Sequence, residues 1–156
     1  MKKTNALRIL DRNKVSYTVL ALESTGEYGS AVETAEKNGL DPAQIFKTLV
    51  CEGDKTGIIV AVVPGDAHLN FKALAKATGN KKVSMLPLKN LTAVTGYVRG
   101  GCSPVGMKKD FPVVLDVAAR DFTEIYVNAG RRGFLMLVEP DELLRVSRGV
   151  CAEITE

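Results

Sequence analysis

The sequence predicts an α+β (mixed α/β) fold: a curved, mostly antiparallel mixed sheet or small barrel of six to seven strands surrounded by helices. Three observations carry this expectation. Short runs rich in β-branched and aromatic residues recur along the chain, each bounded by turn residues. Two pairs of those runs flank tight glycine-containing turns, which joins them as antiparallel hairpins. Helical segments are interspersed with the strands rather than alternating strictly, which argues against a doubly wound parallel sheet.

In chain order, Thr4 is placed to cap a first helix whose apolar side carries Leu7, Ile9 and Leu10 and which ends near Asn13. Residues 16–22 form a first strand, and a polar loop containing Tyr28 follows. Ser30 with Glu33 makes a capping box for a short helix that stops at Gly39, and Asp41-Pro42 with Gln44 starts another helical turn. Residues 48–52 and 58–63 flank the turn Gly53-Asp54-Lys55-Thr56-Gly57 as a hairpin. The unbroken apolar run of its second strand calls for burial on both faces. Asn70 caps a helix over 71–78 with Gly79 as its stop; residues 83–86 make a short strand and 88–95 a short helix. Strands at 113–117, 124–128 and 134–138 follow, the last two joined by Asn128-Ala129-Gly130-Arg131-Arg132-Gly133. Pro140 and Asp141 open a final helix through Val146.

The 156 residues suit one domain spanning 1–156. Twenty-one Lys and Arg against 18 Asp and Glu leave a net charge of +3, too small for tight nonspecific nucleic-acid binding. The doublets Lys2-Lys3, Lys81-Lys82, Lys108-Lys109 and Arg131-Arg132 could still track a phosphate backbone if several share a face. The N-terminus lacks the apolar stretch of a secretion signal, no segment approaches the ~18 apolar residues that cross a bilayer, and Cys51, Cys102 and Cys151 fit neither a disulfide framework nor a zinc spacing. A cytoplasmic protein with no membrane partner is expected.

The most informative segment is Gly96-Tyr97-Val98-Arg99-Gly100-Gly101-Cys102-Ser103-Pro104-Val105-Gly106-Met107-Lys108-Lys109. Glycines let backbone amides approach a ligand, and successive amides can cradle a carbonyl, carboxylate or phosphate oxygen. The same residues also suit a plain turn between strands with a solvated basic tail. Lys47, between Ile45-Phe46 and Thr48-Leu49-Val50, reads either as a lysine snorkelling from a strand end or as a point charge for a ligand oxygen. Among the other reactive types, His68 is the only histidine and fits a surface or capping role. Cys102 has no obvious base nearby, and no metal-ligand spacing, Walker loop or dinucleotide fingerprint is present.

Gln44-Ile45-Phe46-Lys47-Thr48-Leu49, the glycine segment from Gly96 to Gly106, and Ile125-Tyr126-Val127-Asn128-Ala129-Gly130-Arg131-Arg132-Gly133 together resemble the YbaK/EbsC group of the aminoacyl-tRNA editing superfamily. The opening Ala6-Leu7 to Tyr17 and the helix ending Lys37-Asn38-Gly39-Leu40 also fit, so the resemblance runs nearly end to end. It is similar to freestanding Cys-tRNA(Pro) deacylases and to the editing domain inserted in bacterial prolyl-tRNA synthetases.

The resemblance implies the compact fold of the prolyl-tRNA synthetase-associated domain and hydrolysis of the ester joining a wrong amino acid to tRNA, without a cofactor or metal. It implies aminoacyl-tRNA as partner, and prolyl-tRNA synthetase as a second. It casts Lys47, Gly100 and Gly101 as the catalytic set and Tyr17, Tyr28, Thr48, Arg99, Ser103 and Pro104 as substrate-binding residues. Where many members carry an aspartate this chain has Leu135, and Cys102 stands at a loop position that is usually aliphatic. An aminoacyl ester is already activated, so positioning and oxyanion stabilisation suffice, with a bound water or the substrate's own thiol as the attacking group. A deacylase for another mischarged tRNA such as Ala-tRNA(Pro), a noncatalytic tRNA- or synthetase-binding module, and a small-molecule enzyme acting on nucleotides remain as alternatives.

Overall fold

The computed structural model describes residues 2–23 and 31–156. Tyr28, and Ser30 of the expected capping box, lie outside them.

Helix α1 (Asn5–Arg12) starts where Thr4 places its hydroxyl to accept the Leu7 amide at 3.2 Å. Strand β1 (Thr18–Ala21) and helix α2 (Ala31–Lys37) follow. The Asp41-Pro42 segment makes a turn rather than a helix: the Gln44 amide donates to the Asp41 carbonyl at 3.0 Å, and the chain then enters a strand. Strands β2 (Phe46–Gly53) and β3 (Gly57–Pro64) form the expected hairpin. Asn80 braces its turn by accepting the Lys55 and Thr56 amides at 2.9 and 3.0 Å. Helix α3 (Phe71–Thr78) has the expected caps, with Asn70 accepting from Ala73 and Gly79 left-handed at φ 75°.

Strand β4 (Val83–Met85), a 3-10 turn (Leu88–Asn90) and helix α4 (Leu91–Thr95) lead into the glycine segment. Beyond it come β5 (Val113–Asp116), a second 3-10 turn (Val117–Asp121), β6 (Ile125–Asn128), β7 (Phe134–Val138), α5 (Pro140–Ser147) and β8 (Val150–Ala152).

The mixed α/β class and the largely antiparallel pairing stand, but the strand count and sheet layout differ from expectation. Among the described residues, eight strands divide into two sheets, one ordered β1-β7-β6 and the other β4-β2-β3-β5-β8. The three-stranded sheet is antiparallel throughout. In the larger one, β3-β5 and β5-β8 pair parallel. The additional strand, β8, is three residues long and among the described residues pairs only with β5, a non-local partner that no local pattern announces. Ile45 and Tyr126 form an isolated parallel bridge, so the start of β2 runs beside β6 and ties the two sheets together.

As its unbroken apolar run requires, β3 lies at the middle of the larger sheet, with Val60, Ala61, Val62 and Val63 all 0% exposed. One face joins the main core with Phe46, Leu115, Val127 and Met136; the other packs with Leu69 and Leu74 beneath α3. A third cluster gathers Ala35, Ile45 and Leu135 with Leu20, Leu22, Leu40 and Tyr126 between α2 and the smaller sheet. No helix among the described residues is long and apolar enough to cross a membrane.

Candidate functional site

The glycine loop holds its shape through its own polar groups. Helix α4 ends at Gly96, left-handed at φ 85°. Buried Thr95 donates its hydroxyl to the Leu91 carbonyl and accepts the Tyr97 amide at 3.0 Å. Tyr97, also buried, donates its hydroxyl to the Val105 carbonyl at 2.6 Å and so ties the loop across its neck. Burial, reinforced by nearby Cys102, pushes the Tyr97 phenol up to about 12, which keeps it a neutral donor.

Within the neck, the Gly101 amide donates to the Val98 carbonyl at 2.9 Å, and Gly100 takes φ 82°, a left-handed value that glycine adopts at little cost. The Gly101 amide is therefore occupied. Among the described residues, the amides of Gly100 and Cys102 donate to no group.

The late hairpin grips this loop from one side. Asn128 Nδ2 donates to the Gly100 carbonyl at 2.9 Å, and Arg132 Nε donates to the Arg99 carbonyl at 2.7 Å. Gly101 packs so closely that a Cβ on it would lie 3.0 Å from the Arg132 backbone nitrogen. On another side sits the start of α1: Thr4 donates its hydroxyl to the Ala129 carbonyl, and Asn5 donates its amide to the Gly106 carbonyl at 2.8 Å.

Lys47 lies near the start of β2, half-buried, with its ammonium nitrogen 2.8 Å from the Ala67 carbonyl and 3.4 Å from that of Gly65. Burial lowers its pKa from the ordinary lysine value, and the Asp66 carboxylate acts in the opposite direction. An ammonium has three N–H donors. The two carbonyls engage two, which leaves one for another oxygen. Gln44 ties this segment to β6, donating Nε2 to the Glu124 carbonyl and accepting the Tyr126 amide on its own carbonyl. Lys47 and Asn128, the residue that holds Gly100, each lie two residues past the Ile45–Tyr126 bridge on their own strands. The late hairpin thus touches both other motifs, through Tyr126 to the Gln44-Ile45 segment and through Asn128 and Arg132 to the glycine loop.

The remaining expected residues fall in different places. Thr48 points to the opposite face of β2 from Lys47, because strand residues alternate, and its buried hydroxyl has no hydrogen-bond partner among the described residues. Ser103, 0% exposed, accepts the Val105 amide on its hydroxyl, and buried Pro104 follows it, so both side chains shape the loop from inside. Arg99 is exposed at the tip. Tyr17 belongs to a separate network, donating to Asp11 at 2.8 Å while Lys3 pairs with the same carboxylate; no described hydrogen bond joins it to Lys47 or the loop. Tyr28 lies outside the described residues.

Leu135, 5% exposed, is a core side chain in the apolar cluster with Ile45 and Ala35. Burial pushes the Cys102 thiol up to about 11, against a smaller opposing effect of a hydrogen bond with Thr95, so it is protonated at neutral pH and not a nucleophile. His68 is exposed.

Asn128 is the site residue that sequence reasoning missed. Its place before Ala129-Gly130 signals a turn in which an Asn side chain accepts following amides, and it does accept those of Gly130 and Arg131 at 2.7 and 3.1 Å. Its contact with Gly100 spans 28 residues and carries no local signal.

The profile of the aminoacyl-tRNA editing domain family matches residues 25–146. The chain is 49% identical over 154 residues to a candidate Cys-tRNA(Pro)/Cys-tRNA(Cys) deacylase, EbsC, of Enterococcus faecalis, covering 99% of this chain and 94% of that one. It is 29% identical over 119 residues to a proline–tRNA ligase of Shouchella clausii, of which it spans 21%. Its fold matches the crystal structure of a candidate trans-editing enzyme for prolyl-tRNA synthetase with a TM-score of 0.83 at 24% identity, covering 100% of this chain and 99% of that one. With a family profile running across most of its length, the chain belongs to the aminoacyl-tRNA editing domain family.

Proposed function

We propose that the chain, as one editing domain over residues 1–156, is a trans-editing hydrolase that deacylates mischarged tRNA, with Cys-tRNA(Pro) as its substrate. The observation that carries this reading is the 49% identity to the candidate deacylase EbsC along 99% of the chain. The geometry supports it: the half-buried ammonium of Lys47 has a donor to spare, and the loop carries two unengaged amides among the described residues, one at exposed Gly100 and one at half-buried Cys102. These are the groups needed to hold an ester carbonyl and a terminal ribose oxygen.

In the reaction, a water oxygen attacks the ester carbonyl carbon, negative charge collects on the carbonyl oxygen, and the bond to the ribose oxygen breaks. That ribose oxygen leaves with a proton from the water, releasing free amino acid and tRNA. With a cysteinyl ester, the substrate's own thiol sulfur can attack the carbonyl carbon instead; the ribose oxygen leaves with the thiol proton, and water later opens the cyclic thioester to free cysteine. Lys47 and the amides of Gly100 and Cys102 stabilise the developing charge and hold the terminal nucleotide; no protein nucleophile is required. Arg99 at the loop tip meets the tRNA's phosphates. Association with prolyl-tRNA synthetase would deliver the substrate, which suits a chain whose net charge is only +3.

The test is a deacylation panel of Cys-tRNA(Pro), Cys-tRNA(Cys), Ala-tRNA(Pro) and correctly charged Pro-tRNA(Pro), with and without prolyl-tRNA synthetase. Release of cysteine from Cys-tRNA(Pro), with Pro-tRNA(Pro) spared, is expected. Retention of aminoacyl-tRNA without release of amino acid would identify a binding module instead.

A further inference from the structure

We infer that Asn128 is the positioning residue of this site: its amide nitrogen sets the orientation of the glycine-loop peptides that receive the ester. The inference rests on the editing function proposed above.

Asn128 uses both ends of its side chain, and the two ends do different work. The oxygen accepts the Gly130 and Arg131 amides at 2.7 and 3.1 Å, which shapes the hairpin turn locally. The nitrogen reaches 28 residues back in the chain to the Gly100 carbonyl at 2.9 Å. That carbonyl belongs to the peptide unit whose nitrogen is Gly101, already committed to Val98. A peptide unit is planar. Fixing its oxygen through Asn128 and its nitrogen through Val98 therefore fixes the whole Gly100–Gly101 plane, which lies between the peptide that carries the Gly100 amide and the one that carries the Cys102 amide, and so limits how either can turn. Gly100, at φ 82°, is the residue about which this plane would otherwise turn. Asn128 and Lys47 each lie two residues past the bridge between Ile45 and Tyr126, on their own strands. Arg132 holds the neighbouring Arg99 carbonyl at 2.7 Å, and with it the peptide that carries the Gly100 amide, through a longer side chain with more rotatable bonds than that of Asn128.

The two ends can be separated by substitution. Asn128→Asp keeps an oxygen for the turn amides and removes the donor to Gly100. Asn128→Ala removes both. Hydrogen exchange of the amides over 98–103, thermal melting, and steady-state deacylation of Cys-tRNA(Pro) are measured on the wild-type chain and both variants. For Asn128→Asp the expected result is faster exchange confined to 98–103 and a kcat lower by about 10- to 100-fold with KM within about threefold, at a melting temperature close to wild type. Asn128→Ala should show the same rate loss together with a lower melting temperature. Unchanged exchange over 98–103 in Asn128→Asp would overturn the inference. So would faster exchange with a wild-type kcat, which would reduce the bond to a purely structural one. A wild-type chain that releases no amino acid from any aminoacyl-tRNA would instead overturn the editing function, and the exchange data would then decide alone whether Asn128 orients the loop.

Discussion

The ammonium nitrogen of Lys47 stands 2.8 Å from the carbonyl oxygen of Ala67, so the loop after β3 aims a lysine that β2 supplies. Replacing it separates charge from packing. Lys47→Met keeps the stem and removes the charge and its bonds to two carbonyls. Deacylation should fall by about 100-fold or more, while stability measured by urea unfolding changes by about 1 kcal/mol or less. Wild-type turnover by this variant would remove Lys47 from the mechanism.

The same lysine sets a pH dependence. Burial lowers its pKa, so the ammonium is lost on raising the pH before an ordinary lysine would lose it. The rate of deacylation, corrected for uncatalysed ester hydrolysis, should therefore decline on an alkaline limb that begins below the ordinary lysine range. That limb should be absent from the residual activity of Lys47→Met.

Gly101 and Gly133 offer a paired test of close packing. A Cβ on Gly101 would meet backbone atoms of Arg132 and Arg131 at 3.0 and 3.3 Å, whereas one on Gly133 has nothing within 4 Å. Gly133 sits at φ 84°, so Gly133→Ala costs left-handed strain of about 1–2 kcal/mol without moving the loop. Gly101→Ala must shift the hairpin turn against the loop, and its kcat should drop about tenfold or more while Gly133→Ala keeps its rate per folded molecule.

Cys102 should be dispensable. With its thiol near 11, Cys102→Ala should deacylate at the wild-type rate from pH 6 to 9, and alkylation of the native thiol should be slow near pH 7. Stability carries the complementary sign. Cys51 and Cys102 both rise from 9.0 to about 11 on burial, so between those values the folded chain keeps protons that the unfolded chain has released. The urea midpoint should fall as the pH climbs through that window, and fall less in Cys102→Ala.

Leu135→Asp places a carboxylate among Ala35, Ile45 and Leu20, with no described cation or donor there to receive it. It should destabilise the fold by about 3 kcal/mol or more in urea, or raise the carboxyl pKa until it is neutral. A fully stable Leu135→Asp with an altered choice of amino acid would instead place this side chain at the pocket wall.

Much of the fold was legible because its signals are local. Thr4 and Asn70 accept the expected cap amides, the apolar run 58–63 is buried on both faces, and both hairpins close at the expected turns. What misled was equally local. Asp41-Pro42 carries a helix-start signal, yet Ile45 immediately pairs with Tyr126, and tertiary pairing overrides a weak local preference. The strand Val150–Ala152 exists because a β5 edge awaits it, not because three residues prefer extension.

By itself the sequence determined the glycine loop, the Lys47 motif and the late hairpin, since each is a contiguous stretch whose backbone demands and residue types can be read in place. Only the tertiary structure decided which atoms of those stretches are available: that Val98 consumes the Gly101 amide, that Thr48 turns to the other face of β2, that Leu135 is core, and that Asn128 holds Gly100. The physical reason is that hydrogen-bond partners separated by tens of residues are chosen by packing geometry. A residue's chemistry is written locally, but whether it is spent on the fold or left for a ligand is settled by its neighbours in space.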